Sequence, residues 1–379
     1  METNNGIEPH VLFNLIGMRK PLAFLDYRDN ESFNKCRIMG SYSVPEEMTD
    51  IRLELKQIIT RVHSKKSLHL VMAYNTIHDM NSFMLQYNNI QSAVFADGNQ
   101  NVNEERKTGF EHIHSIHYVC FDIFYELYSD CICVFEGSEV IAVKKGHAEC
   151  YPTEIIPGFL FLGDYRDGTD ETTLKGLHIT HVVDATGEQT SQNISEQLSL
   201  QYLEVQIWDL PDEDIAAHFN SVISFIQSAR QNRGRVLVHC RAGISRSATF
   251  VLAYIIHSDP SSTLDQAVRT VLTARPYVCP NVTFRRQLRE YEFELRGVNS
   301  LASDEAMLAV MRSLSPSWEG MFQTETDHDR VPILAGRNLD PSLALLDEFP
   351  SEGATFSDEG QKKPKKPFLK RGAGKKRAI

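Results

Sequence analysis

Long apolar stretches are missing from this 379-residue chain. A membrane-crossing helix needs about 20 consecutive apolar residues. The longest runs here, such as Phe250 to Ile256, are far shorter, so no membrane span is expected. Cysteine is scarce and odd in number: Cys36, Cys120, Cys131, Cys133, Cys150, Cys240 and Cys279, with no C-x-x-C pair. That argues against a disulfide framework and a zinc site, and predicts reduced thiols and no metal. The opening residues Met-Glu-Thr-Asn-Asn carry neither a basic region nor an apolar one, so no signal peptide is expected. These absences predict a soluble protein of the cytoplasm or nucleus. Positive charge is also in short supply. The net charge is −11, which argues against non-specific nucleic-acid binding by the chain as a whole. Internal repeats are absent as well.

What is present is an ordinary globular mixture, 42% hydrophobic and 23% charged, in a chain long enough for two or three domains. Residues 8–145 alternate short apolar runs with helical patterns. Pro21–Leu25, Leu68–Tyr74 and Cys131–Phe135 read as strands, and Ile51–Val62 and Ile77–Tyr87 as helices. Strands alternating with helices predict an α/β fold with a parallel sheet. Turn signals at Tyr151-Pro152 and Pro157-Gly158 mark a linker into a second α/β region, 151–297. There Phe159–Leu162, His181–Asp184, Leu203–Ile207 and Arg235–Val238 read as strands. Phe219–Ala229, Ala248–His257, Leu264–Thr273 and Thr283–Leu295 read as helices. One more amphipathic helix is expected over 303–314. Residues 315–379 lose all periodicity and read as a disordered tail. From Lys362 onward the tail holds nine basic residues and no acid, which suits a nuclear-import signal or a solubilising tail.

The chemistry is concentrated in one turn. The predicted strand from Arg235 ends at His239-Cys240, and Arg241-Ala-Gly-Ile-Ser-Arg246-Ser247 leads into a helical run. Five residues between Cys240 and Arg246 suffice for the backbone to curl around one phosphate with its N–H groups inward. Such a nest at a helix N-terminus attracts an anion. Arg241, Ala242, Gly243, Ile244, Ser245 and Arg246 are the phosphate-binding candidates, and Gly243 permits close backbone approach. The same positive field favours a thiolate on Cys240, the candidate nucleophile. Arg246 offers a planar fork for two phosphate oxygens. Ser247 is placed to donate a hydrogen bond to the departing sulfur. His239 is expected to orient the loop by hydrogen bonding. A buried, inert thiol would explain Cys240 alone, but not the whole arrangement.

Thiolate attack also needs an acid for the leaving oxygen. About thirty residues upstream, Glu204-Val-Gln-Ile-Trp-Asp209 runs into the acidic loop Asp209-Leu-Pro-Asp-Glu-Asp214. Asp209, directly after the predicted strand, is the candidate general acid. Asp212 and Asp214 compete, or simply cap the next helix.

From Tyr151 to Leu295 the chain resembles the dual-specificity protein phosphatases. The resemblance rests on Ile155-Ile-Pro-Gly-Phe-Leu-Phe-Leu-Gly163, the Asp209 loop, His239 to Ser247, Cys279-Pro-Asn281, Phe284, Gln287-Leu288 and Tyr291-Glu292. It implies a phosphocysteine on Cys240, a phosphoryl group held by Arg246, general acid then base at Asp209, and loop support from Asn281. It implies no metal and no cofactor. Residues 8–145 resemble rhodanese-like domains through Leu25-Asp-Tyr-Arg-Asp29, Phe33 and Ile38-Met-Gly-Ser-Tyr-Ser-Val-Pro45. The active cysteine loop of that family has no counterpart, because Asn75-Thr-Ile-His follows the matching strand; a regulatory or docking role is expected instead.

This pairing is the layout of mitogen-activated protein kinase phosphatases, and it implies phosphoprotein substrates, such kinases among them. The segments Tyr151–Gly158 and Cys279–Asn281 also resemble the serine/threonine/tyrosine-interacting-like pseudophosphatases, which lack the His-Cys pair kept here at His239 and Cys240. A kinase-docking basic cluster has one sparse candidate, Arg61-Val-His-Ser-Lys-Lys66, for which a solvated helix end is the preferred reading. Three functions compete. They are a protein phosphatase for phosphotyrosine and phosphoserine or phosphothreonine, a non-catalytic phosphoprotein scaffold, and a phosphatase for inositol lipids or RNA. The intact Cys240, Arg246 and Asp209 favour the first. Neutral Ile244 and Ser245, and the lack of a dense basic run nearby, count against the third.

Overall fold

The computed structural model describes residues 6–18, 22–44, 55, 68–75, 80–95, 113–135, 151–187 and 198–314. The helix expected over Ile51–Val62 (apart from Leu55), the Arg61–Lys66 cluster, Cys150 and the 315–379 tail lie outside the described residues.

The chain opens with the helix Pro9–Gly17. Strands β1 (Leu22–Asp26), β2 (Cys36–Ile38), β3 (Ser41–Ser43), β4 (Leu68–Tyr74), β5 (Ile113–Cys120) and β6 (Cys133–Phe135) follow. A parallel sheet has the order β3-β1-β4-β5, and β2 pairs with β6 antiparallel. The helix read over Ile77–Tyr87 runs instead over Met80–Phe95. Cys131 and Ile132 close the helix Phe121–Ile132 rather than opening a strand. At the end of β1, Asp26 is fully buried and grips Arg28 through Nε–Oδ1 at 2.9 Å and Nη2–Oδ2 at 2.7 Å. The Arg28 guanidinium stacks 3.3 Å above the Phe121 ring.

The second sheet comprises β7 (Thr153–Ile156), β8 (Leu160–Gly163), β9 (His181–Asp184), β10 (Gln201–Glu204) and β11 (Val236–His239), in the order β10-β9-β11-β8-β7. Only β7 runs antiparallel, as a hairpin with β8. The residues read as a linker therefore form an edge strand. Central β11 is apolar throughout Val236-Leu-Val238 and wholly buried, as a strand covered on both faces must be. The helix Arg246–Ser258 that follows buries every residue from Arg246 to Tyr254. Ligands of open parallel sheets bind beyond the strand C-termini, which is where the turn after β11 lies. The helix Asp304–Leu314 extends the packed body past residue 297. It buries Met307 and Met311, and Asp304 holds Arg285 through Nη2 at 2.7 Å. No helix among the described residues is long and apolar enough to cross a membrane.

The two sheets belong to one compact unit with a continuous core. Leu12, Phe13, Phe124 and Tyr128 from the first half share a cluster with Phe161, Leu174 and Leu237 from the second. Phe13 stacks on Tyr128 with ring centroids 4.5 Å apart. Asn14 seals the contact. Its Nδ2 donates to the Glu154 carbonyl and its Oδ1 accepts from the Glu154 N–H, both at 2.8 Å. A side-chain amide thus completes the hydrogen bonding of a β7 residue, a remedy for an edge strand. Burial raises the Glu154 carboxyl above its ordinary range, and its partners, the Tyr128 hydroxyl and the Gly158 N–H, oppose that rise.

Replacing Asn14 by Ala leaves both Glu154 main-chain groups buried without partners. The expected cost is about 2 kcal/mol of stability, read as a lowered midpoint in chemical denaturation of the full chain.

Candidate active site

After β11 the backbone turns through Cys240 to Ser245 and enters the helix at Arg246. Gly243 makes the turn with φ +68°, and a Cβ there would sit 2.7 Å from the Gly163 carbonyl oxygen. Its N–H points at the Cys240 sulfur, 3.3 Å away, and the Ser247 hydroxyl donates to the same sulfur from 3.1 Å. Cys240 is 1% exposed. Buried Ile244 ties the turn to the chain ahead of the Val282 helix by accepting from the Cys279 N–H at 3.0 Å. The Arg241 carbonyl accepts from Tyr165 N–H at 3.2 Å. Arg241 and Ala242 are half-buried at the mouth.

Ser245 occupies the N-cap position of the buried helix, yet its hydroxyl makes no cap. It donates instead to Asp209 Oδ1 at 2.8 Å. The first N–H groups of that helix are therefore left without a side-chain cap, the arrangement that favours an anion. Arg246 is held by its Nη1, which donates to the Thr186 carbonyl at 2.9 Å and lies 3.4 Å from that of Ile207. Its Nε is buried and has no hydrogen-bond partner, and Asp209 Oδ2 stands 3.9 Å from it.

Asp209 Oδ1 accepts a second bond from Asn281 Nδ2, also at 2.8 Å. Oδ1 is thus anchored twice, while Oδ2 takes no hydrogen bond among the described residues. Asn281 also gives its N–H to Ser245 Oγ at 3.1 Å and caps the helix Val282–Arg296 through Phe284 N–H at 3.0 Å. It supports the loop and the acid together. Asp214 caps the turn at Ala217 through a 3.3 Å bond, and Asp212 is exposed.

His239 lies buried directly before the turn. Its ring interacts with the main chain of Cys240, a contact that favours the charged imidazole. Nε2 lies 3.4 Å from the Tyr202 hydroxyl and 3.9 Å from Asp184 Oδ1, while Gly168 packs so tightly on the ring that a Cβ there would clash. It is the main chain of His239 that registers the strand, its carbonyl accepting from Ala185 N–H at 2.9 Å. Burial holds the imidazole below its ordinary pKa, and the nearby Asp184 carboxylate opposes this. Half-buried Cys279 has its thiol pushed up to about 12 by desolvation of the sulfur, which makes it a poor nucleophile toward a neighbour.

Sequence reasoning missed the carbonyls of Thr186 and Ile207 that hold Arg246, because backbone acceptors carry no residue signature. It also missed Arg275, fully buried, whose Nε donates to the Gly243 carbonyl at 2.9 Å.

A thiol in a cradle of amides, an arginine fork and an anchored carboxyl form the layout of a cysteine phosphatase, and residues 160–294 match the family model of the dual specificity phosphatase catalytic domain. This segment is a dual specificity phosphatase domain. The chain is 41% identical over 145 residues to the dual specificity protein phosphatase Mpk3 of Drosophila melanogaster, covering 38% of this chain and 35% of that protein. It is 37% identical over 148 residues to a probable rhodanese domain-containing dual specificity protein phosphatase of Dictyostelium discoideum, covering 39% of this chain and 30% of that one. With dual specificity protein phosphatase 5 of Rattus norvegicus it shares 31% identity over 202 residues, 51% of each chain. The matches thus span between about a third and a half of these relatives. Among solved structures, that of the human tyrosine phosphatase-like serine/threonine/tyrosine-interacting protein is 35% identical, with TM-score 0.34, covering 38% of this chain and 95% of that one.

The phosphatase domain should show the buried histidine in its pH response. A His whose folded pKa is depressed contributes stability that is complete above the unfolded value of about 6.5 and is lost as pH falls. Between pH 7 and pH 5 the melting temperature of the native chain is expected to drop more steeply than that of His239→Gln. Parallel slopes would show that the ring does not titrate there.

Proposed function

We propose that the chain is an active protein phosphatase hydrolysing phosphotyrosine and phosphoserine or phosphothreonine through a phosphocysteine. The observation that carries this is the pair of donors on Cys240 Sγ, Gly243 N–H at 3.3 Å and Ser247 Oγ at 3.1 Å, set beside Asp209. In the first step the Cys240 thiolate attacks phosphorus and the phosphorus–ester oxygen bond breaks. Asp209, protonated on Oδ2, gives its proton to the departing oxygen. Arg246 Nε and the uncapped helix N–H groups hold the phosphoryl oxygens as charge shifts among them. In the second step water attacks phosphorus and yields its proton to the Asp209 carboxylate. The phosphorus–sulfur bond breaks, inorganic phosphate leaves, and sulfur returns to thiolate under the Ser247 hydroxyl.

The intact sulfur and acid support this reading over a non-catalytic phosphoprotein scaffold. The names of relatives, such as the Dictyostelium discoideum MAP kinase phosphatase with leucine-rich repeats protein 3, support phosphorylated kinases as substrates. The parallel sheet β3-β1-β4-β5 supports a rhodanese-like first domain. No cysteine follows its strand β4, where Asn75 stands, so its role here is docking or regulation.

Purified full-length protein should hydrolyse phosphotyrosyl and phosphothreonyl peptides, with Cys240→Ser as the zero. Asp209→Asn should lower kcat by about 10²–10⁴-fold, and Asn281→Ala by less, since it frees the acid without removing it. Turnover no greater than that of Cys240→Ser would favour the scaffold.

A further inference from the structure

Arg275 ends the helix Leu264–Ala274, is 0% exposed, and joins none of the ion pairs among the described residues. Burying a cation without a carboxylate is costly, so the site must use the charge otherwise. Nε donates to the Gly243 carbonyl and Nη1 to Thr153 Oγ1, both at 2.9 Å. The guanidinium lies 4.5 Å from the Tyr277 ring centroid. Nη2 is buried and has no hydrogen-bond partner. A Cβ on Gly243 would come within 2.4 Å of Nη2, so the cation presses directly on the back of the turn. The front of that same glycine, its N–H, faces the Cys240 sulfur.

We propose that Arg275 is a positioning residue for the phosphate cradle, holding the Gly243 carbonyl outward so that the Gly243 N–H stays aimed at the sulfur and the phosphoryl group. Its charge lies one residue behind the anion and adds to the field that binds it. Thr153, on β7, is the anchor that sets the guanidinium plane. The inference rests on the phosphatase reading above and adds a residue to it.

The test uses full-length protein and tungstate as a phosphate mimic. Tungstate binding is measured by calorimetry on the Cys240→Ser form, and turnover on the native form. Arg275→Met should weaken tungstate binding by about tenfold or more, the scale of a hydrogen bond from a charged group. Arg275→Lys, which keeps the charge, should recover part of the loss at a melting temperature matching that of Arg275→Met. Thr153→Val should weaken binding about threefold and raise KM with a folded protein. Tungstate affinity of folded Arg275→Met equal to that of its parent overturns the proposal, as does equal behaviour of the Lys and Met variants. Should neither Arg275 variant fold, Thr153→Val decides: unchanged affinity and KM overturn the proposal. A native chain that neither turns over nor binds tungstate removes the phosphatase reading itself, and this role with it. An active native chain with indifferent Arg275 variants removes this role alone.

Discussion

The hydrogen bond from the Gly243 N–H to the Cys240 sulfur sets the geometry around which the rest of the second half is arranged. It requires a left-handed residue in the turn, and Gly243 at φ +68° supplies it. It requires the next strand to come close, and the Gly163 carbonyl leaves no space there for a side chain. It also requires a rigid floor, given by β11 and the helix Arg246–Ser258, both deep in the core. A sulfur held in this way meets a backbone dipole whose orientation was settled on folding, the kind of preorganisation that the proposed reaction would use.

The cradle is also tied to the acid, and one small side chain makes the link. Ser245 sits where a helix cap is expected, but its hydroxyl reaches Asp209 and receives the Asn281 N–H. Asn281 closes the triangle onto the same Asp209 oxygen. Asp209 is therefore tied by hydrogen bonds to the first turn of the helix Arg246–Ser258. Arg246 completes the coupling, because the carbonyls it grips belong to Thr186 after β9 and to Ile207, two residues before the acid.

Much of this was legible in the residues. Strand β9 was read at its observed bounds, as was β4, because each holds a β-prone apolar stretch, Val182-Val183 and Leu70–Tyr74. Cys240, Arg246, Ser247 and Asp209 could be placed together because their chemistry needs fixed spacings after strand ends. Leu203–Ile207 misled, since Val205 and Ile207 are buried without continuing β10, which stops at Glu204. The helix Phe121–Ile132 was hidden because its aromatic and β-branched residues carry no strong helical preference. The sequence did not show that the Ser245 hydroxyl donates to Asp209, because that pairing links residues 36 positions apart. Arg275 was invisible because nothing local distinguishes a buried arginine from a solvated one. Only folding brings it beneath a turn 32 positions earlier in the chain.

Strand β7 explains how the first half of the chain bears on this chemistry. Successive side chains of a strand point to opposite faces. Thr153 turns one way, to Arg275 and the cradle. Glu154 turns the other, to the Tyr128 hydroxyl, while its backbone is gripped by Asn14. The edge strand is thus clamped from the first half through one residue and supports the phosphate turn through the next. Interiors this closely packed transmit displacement rather than absorb it. The helix Pro9–Gly17, β7, the Arg275 guanidinium and the Gly243 carbonyl thus form one continuous line of hydrogen bonds. The first half is therefore packed and hydrogen-bonded into the support of the turn that holds Cys240.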